Sequence, residues 1–315
     1  MVASTPASTT AIEIRPFDGP LGARVHCDDL ARLDSGALQQ IRTAWLEHLV
    51  LLIRGQQLSP DGLVKFAEIF GEVSTATPVS ELPPGVGADR PNPYIAIVSN
   101  VKIDGAPIGT LGDGEVVWHT DMSYHEEPIS ASMLYAIETP PSGGRTGFIN
   151  MYEAYDRLPS DLRAVVAGLT IKNDATYNSA GQLRRNMQPA TDVRTSPGVD
   201  HPALRTHPET GCHALYLGRR PNAYVQGLDV SASEALLDEL WSKATALRPW
   251  VHEWQPGDLV IWDNRCVMHR REPFDPASRR VMHRAQCKGD RPSYNPQLEG
   301  DGVHSRHRLA SAVAA

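Results

Sequence analysis

No run of about 18 or more apolar residues occurs in this 315-residue chain, so the sequence offers no hydrophobic helical span. There are only four cysteines, Cys27, Cys212, Cys266 and Cys287, and none forms a CxxC pair. Reduced thiols in a cytoplasmic protein are the expectation that follows. Basic residues are not in excess. Lys and Arg number 30 against 37 Asp and Glu, a net charge of −7, which provides no electrostatic basis for binding nucleic acid or an anionic membrane. The first ten residues lack the charged-then-apolar pattern of a secretion signal. No internal repeat and no linker stands out. Residues 1–12 are expected to form a disordered tail, 13–290 a single domain and 291–315 a C-terminal tail.

What is present is a pattern of short strands with a few strong helices. Residues 35–48 predict a helix, with Leu38, Ile41, Trp45 and the following Leu49 at helical spacing and Ser35 as the expected cap. Residues 50–53, Val-Leu-Leu-Ile, predict a buried strand. Ser59-Pro60-Asp61 supplies a cap, a first-turn proline and a first-turn acid for a second helix that Gly71 ends. Residues 74–93 are rich in proline and glycine and predict a loop. Strands are expected at 94–98, 132–137, 146–150, 213–217, 250–254, 258–262 and 280–286, and one helix at about 233–247. The sum is a mainly β fold with flanking helices, of the jelly-roll kind, whose mouth brings distant residues together. The segment 173–200 is polar, irregular and long, a length usually functional or mobile.

Within this frame, Trp118-His119-Thr120-Asp121 places an imidazole and a carboxylate two positions apart. On an extended strand both point to one face, so a single strand supplies two ligands. His269, which follows Trp262-Asp263-Asn264-Arg265, is the best third ligand from a neighbouring strand. Two histidines and one carboxylate are the set that holds non-haem Fe(II) on one face and leaves positions open for O2 and a co-substrate. Arg280 and Arg284 are four apart, and two guanidinium groups on one inward face call for an anion. The other histidines are read as structural or surface residues: His125 at an odd offset, His283 between the two arginines, His201, His207 and His213 in the polar stretch, and His26 and His48 near the N-terminus. Cys266 is read as a small core residue in a strand.

These blocks resemble the taurine/2,4-D dioxygenase family of Fe(II)/2-oxoglutarate-dependent oxygenases. The resemblance is carried by 118–121, by 141–148 (PSGGRTGF), by 154–159 (AYDRLP), by 207–211 (HPETG) and by 262–265 through His269 to Arg280 and Arg284. It runs from about residue 14 to 289 and implies a double-stranded β-helix with Fe(II) on His119, Asp121 and His269. It further implies that Thr146 and Arg280 bind the far carboxylate of 2-oxoglutarate, with Arg284 nearer the metal, touching the oxoacid end or an anionic substrate. The implied reaction consumes O2, releases succinate and CO2, and hydroxylates a small organic substrate, with C–S, C–O or C–N cleavage where the hydroxylated carbon carries a heteroatom. Halogenating relatives replace the carboxylate ligand with a small residue, so Asp121 points to hydroxylation. Taurine-cleaving members have histidine just after the Phe-Gly that ends the second helix and asparagine four residues before the first metal histidine. Here Phe70-Gly71 is followed by 72–77 without histidine, and Glu115 takes the second place. Both departures point away from taurine. Glu115 could face a cationic or hydroxylated substrate group, or be a solvated loop acid. The segment 173–200, with Arg184, Arg185 and Arg194, corresponds to a region that often forms a substrate lid. The family often forms dimers or tetramers. Two other classes use a similar ligand set: a non-catalytic metal-binding jelly roll, and a zinc hydrolase that ignores O2 and 2-oxoglutarate.

Overall fold

The computed structural model describes residues 12–82, 86, 87 and 90–298. Residues 1–11 and 299–315, which make up most of the two expected tails, lie outside the described residues. Residues 291–298 lie against the body: the Asn295 amide donates to Thr206 Oγ1 at 2.9 Å, and the Tyr294 ring packs edge-on against His213.

The centre of the molecule is an eight-stranded sheet. Its strands run in the order Glu13–Pro16, Ala23–His26, Val50–Ile53, Leu259–Asp263, Ala131–Glu138, Val281–Cys287, Ala96–Ser99 and Thr110–Leu111. Side-chain alternation divides this sheet between two cores. Leu51, Ile53, Met133, Tyr135, Leu259, Ile261, Ala285 and Cys287 face one apolar cluster, capped by the helices Ser35–His48 and Pro60–Ala67. Val50, Leu52, Leu134, Ala136, Val260, Trp262 and Met282 face the other. A four-stranded sheet, in the order Trp250–His252, Thr146–Asn150, Val267–Arg271 and Val116–His119, closes over that second face. Trp262 of the large sheet meets Phe148 and His269 of the small one, with ring centroids 5.5 and 4.7 Å apart. Two facing, mainly antiparallel sheets around one apolar interior make the double-stranded β-helix, or jelly roll, expected from the sequence; the pairs Ala23–His26 with Val50–Ile53 and Ala96–Ser99 with Thr110–Leu111 are parallel.

The local rules explain the elements that position the site. The first helix spans Ser35–His48 as expected, but its cap is Asp34, whose carboxylate accepts from the Ala37 amide at 2.8 Å; Ser35 is the first helical residue. The helix ends on Leu49, a leucine with φ of 67°. The left-handed backbone is unfavourable for a leucine, and burial of its side chain at 1% exposure offsets it while turning the chain straight into Val50–Ile53. The third long helix, Val230–Thr245, begins three residues earlier than the spacing predicts because the Asp229 side chain caps it by accepting from Ala232 N–H. The polar stretch 173–200 has ordered ends: Thr170–Asp174 pairs with Gly198–Pro202. Its interior is tied down from beneath by buried Lys172, whose Nζ donates to Ser196 O and Oγ at 2.9 Å each and to Val193 O. Among the described residues no helix is long and apolar enough to cross a membrane.

Candidate active site

The two sheets converge on His119, Asp121 and His269, whose ligand atoms lie within 4.8 Å of one another and are all buried. His119 ends the strand Val116–His119 and sits directly opposite His269 in the antiparallel register, which places both imidazoles on the inner face with centroids 4.1 Å apart. Asp121 arrives differently from the sequence expectation. The strand stops at His119, so the carboxylate is not delivered by strand alternation; the chain turns, with Met122 at φ 56°. Asn264 takes the place of the missing ladder. Its Oδ1 accepts from the Asp121 amide at 2.8 Å, and its Nδ2 donates to the Asp121 carbonyl at 2.9 Å. Gly218 permits the neighbouring chain to approach: its carbonyl accepts from Thr120 N–H, and a Cβ there would lie 1.7 Å from Asn173 Oδ1. Cys266 is buried as expected, yet it lies in the turn after Asp263 rather than in a strand.

The donor set fits a divalent cation. Asp121 Oδ2 accepts from Ser132 Oγ at 2.8 Å and from Gln286 Nε2 at 3.2 Å. Its Oδ1 faces the histidines, 3.4 Å from His119 Nε2 and 3.9 Å from His269 Nε2. A metal about 2.1 Å from three mutually perpendicular donors separates them by about 3 Å, so the triplet is a slightly open facial set. The His119 Nδ1–H donates to Val117 O at 2.8 Å, which leaves the Nε2 lone pair facing inward. Burial, reinforced by His119 and Arg284, pushes the His269 imidazole down to about 3, so it is neutral and ready to ligate. Burial alone would raise the Asp121 carboxyl, but His269, His119 and Arg284 overcome it and hold the group far below the usual carboxylate range.

The cavity beside these ligands is lined by Val98, Leu111, Leu134 and Trp262 and by three arginines, Arg271, Arg280 and Arg284. Arg280 is 1% exposed. Its amide is held by Asn100 Oδ1 at 3.0 Å, its guanidinium lies over the Trp254 ring, and its Nε and Nη1 meet no partner among the described residues. Burial, with the charge of Arg271 nearby, pushes it down to about 9. This is the signature of a buried cation without its anion. Thr146 accepts from Trp254 Nε1 at 2.9 Å, which leaves its own hydroxyl hydrogen to donate. Arg284 Nη1 lies 4.0 Å from Asp121 Oδ1. The six residues His119, Asp121, His269, Thr146, Arg280 and Arg284 therefore share one cavity. Glu115 does not join them; it is exposed and off the cavity wall. Of the three arginines in the polar segment, Arg184 stacks on Tyr124 at 3.8 Å, Arg185 donates to Leu82 O, and Arg194 pairs with Asp192.

Sequence reasoning did not single out Ser132, Gln286 or Arg271. Ser132 and Gln286 face each other across paired strands, a relation visible only in the register. Arg271 carried a usable signal: it is two residues beyond His269 and shares its strand face. A second cluster, His207, Asp263 and Cys266, has metal-like composition but is spoken for. His207 Nδ1 accepts from the amides of Glu209 and Thr210, so its Nε2–H donates to Asp263 at 3.0 Å. Asp263 also takes Arg265 Nε and Nη2 at 2.8 and 2.7 Å. This network braces the turn that presents Asn264.

Comparison with known proteins agrees with this geometry. Residues 13–286 match the family described as "Taurine catabolism dioxygenase TauD, TfdA family". The chain is 32% identical over 309 residues to an (S)-phenoxypropionate/alpha-ketoglutarate-dioxygenase of Delftia acidovorans, covering 92% of this chain and 98% of that protein. It is 36% identical over 272 residues to an alpha-ketoglutarate-dependent 2,4-dichlorophenoxyacetate dioxygenase of Cupriavidus pinatubonensis, covering 82% and 91%. Among solved structures, AAD-2 in complex with Mn(II) and N-oxalylglycine superposes with a TM-score of 0.72 at 28% identity, covering 90% of this chain and 100% of that one. The chain belongs to the TauD/TfdA family of α-ketoglutarate (2-oxoglutarate)-dependent dioxygenases. It is an oxidoreductase that uses Fe(II), 2-oxoglutarate and O2. That membership sets aside the non-catalytic jelly roll and the zinc hydrolase.

Proposed function

We propose that His119, Asp121 and His269 hold the Fe(II), that Thr146 and Arg280 bind the far carboxylate of 2-oxoglutarate, and that Arg284 anchors an anionic group of the substrate. The observation that carries this reading is the buried guanidinium of Arg280, whose Nε and Nη1 meet no hydrogen-bond partner among the described residues, in the same cavity as three converging ligand side chains. When bound, Fe(II) with 2-oxoglutarate and O2 supplies the oxidant for C–H hydroxylation, with succinate and CO2 released. The chain's own work is positioning and exclusion. Ser132 and Gln286 aim one carboxylate oxygen of Asp121 inward, Val117 sets the His119 tautomer, and Val98, Leu134 and Trp262 keep water from the reacting centre.

The substrate class we favour is a carboxylate-bearing aryl ether. Its carboxylate would pair with Arg284, 17% exposed at the edge of the site, and its ring would meet the apolar wall. Hydroxylation at the carbon carrying the ether oxygen gives a hemiketal or hemiacetal, whose collapse breaks the C–O bond and releases a phenol and an oxoacid. The names of the Delftia and Cupriavidus relatives support this choice over taurine, as does the absence of histidine in 72–77. We further propose a single cytoplasmic domain over 13–290, with 291–298 packed against it, acting as a homodimer or homotetramer; light scattering of the purified protein tests the oligomeric state. The activity test is incubation with Fe(II), ascorbate, 2-oxoglutarate and a panel of aryloxyalkanoates, sulfate esters and sulfonates. Succinate release stimulated by an aryloxyalkanoate is the expected result; stimulation only by sulfonates or sulfate esters overturns the substrate class.

A further inference from the structure

Arg271 is a buried cation that the site so far leaves unused. It lies on Val267–Arg271, two residues beyond His269, and the register sets it directly opposite Thr146 on the adjacent strand. Residues opposite each other in an antiparallel pair share a face, so Arg271 stands beside Thr146 on the inner wall. It is 5% exposed and lines the same cavity as Thr146 and Arg280. Only one of its three nitrogens is engaged: Nη2 donates to the carbonyls of Leu111, at 3.0 Å, and Gly114. Nε and Nη1 are buried and meet no partner among the described residues. Loop support accounts for Nη2, and the guanidinium lies over the Phe274 ring at 5.4 Å, but neither contact gives Nε or Nη1 an acceptor in a place where unsatisfied charged donors are costly.

We infer that Arg271 is a second guanidinium of the far-carboxylate subsite, so that 2-oxoglutarate is gripped at that end by Arg280, Thr146 and Arg271 together. This rests on the reading that Arg280 and Thr146 hold that carboxylate. An ionised carboxylate offers about four acceptor positions, enough for two guanidinium groups and one hydroxyl. Because Arg271 also holds the carbonyls of Leu111 and Gly114, it connects the co-substrate to the loop leading into the strand of His119. Arg271 thereby makes the site selective for an oxoacid with a second carboxylate.

The test compares 2-oxoglutarate with 2-oxopentanoate, which has the same chain length and a methyl group in place of the far carboxylate. Binding of each to the Mn(II)-loaded full chain is measured by anaerobic calorimetry for wild type, Arg271→Gln, Arg271→Lys and Arg280→Gln. The expected result is that Arg271→Gln weakens 2-oxoglutarate at least tenfold and changes 2-oxopentanoate by less than twofold, with Arg271→Lys in between. Equal weakening of both ligands, or of neither, overturns the inference, since a purely loop-supporting arginine cannot sense the far carboxylate. Should Arg271→Gln not fold, the ratio of the two affinities in Arg271→Lys decides: a change of at least threefold supports the inference and an unchanged ratio overturns it. Arg280→Gln separates the two levels. If it collapses the preference for 2-oxoglutarate while the Arg271 variants do not, only the role of Arg271 fails; if no variant alters the preference, the underlying reading fails.

Discussion

Ser132→Ala tests whether the metal site depends on the groups behind Asp121. Ser132 is fully buried, and its hydroxyl donates to Asp121 Oδ2 at 2.8 Å. Gln286 Nε2 completes a triangle, donating to the same oxygen at 3.2 Å and to Ser132 Oγ at 2.9 Å. Removing the hydroxyl deletes one charge-assisted bond and leaves one Gln286 hydrogen without an acceptor. A hydrogen bond to an ionised group contributes about 1.5–3 kcal/mol. Loss of an outer-sphere partner lowers metal affinity about 10–100-fold, equivalent to about 1.4–2.8 kcal/mol. The two ranges agree because the same bond both stabilises the carboxylate and fixes which oxygen faces the histidines. Mn(II) titration of the apoprotein by calorimetry should therefore show a dissociation constant raised about 10–100-fold. Binding of 2-oxoglutarate to the Mn(II)-saturated variant should change little, since Thr146 and Arg280 are untouched. A folded Ser132→Ala protein with Mn(II) affinity within twofold of wild type would refute the reasoning.

Three other outcomes are expected. Arg284→Gln should raise the dissociation constant of an anionic substrate about 10–100-fold, the equivalent of losing one charge-assisted pair, and leave 2-oxoglutarate binding unchanged; substrate and co-substrate titrations check this separately. Burial lowers the pKa of His201, His207, His252 and His269 in the folded chain, so the unfolded chain takes up protons first below about pH 6.5. Apoprotein stability should accordingly be full above that pH and fall as pH drops toward the folded values, by at most about 1.4 kcal/mol per pH unit for each histidine; urea midpoints that stay flat from pH 7 to 5 count against it. Leu51→Ala, at a fully buried position in the middle of the large sheet, should destabilise by about 2–5 kcal/mol in urea unfolding.

The elements legible in the sequence are those whose signal is local. Ser35–His48, Val50–Ile53 and Thr146–Asn150 occur with the boundaries that periodicity and composition predict. The N-terminal strands Glu13–Pro16 and Ala23–His26 were not legible because Glu-Ile-Arg-Pro and Ala-Arg-Val-His are too short and polar to announce themselves; pairing with each other and with Val50–Ile53 makes them strands. The helices Met151–Asp156 and Ser160–Val166 span at most two turns, too little for a helical period to emerge.

By itself the sequence named the chemistry of the proposed site: two imidazoles and a carboxylate at family spacing, followed by arginines, suit a ferrous ion and an oxoacid because ligand type and charge are properties of side chains. Only the tertiary structure decided how they meet. Asn264 from a distant turn holds Asp121 after its strand has ended, Ser132 and Gln286 choose which of its oxygens faces inward, Glu115 is left in solvent, and Arg271 is enclosed beside Thr146. Those outcomes depend on strand register and on which groups burial deprives of water, and neither is a property of any local stretch of chain.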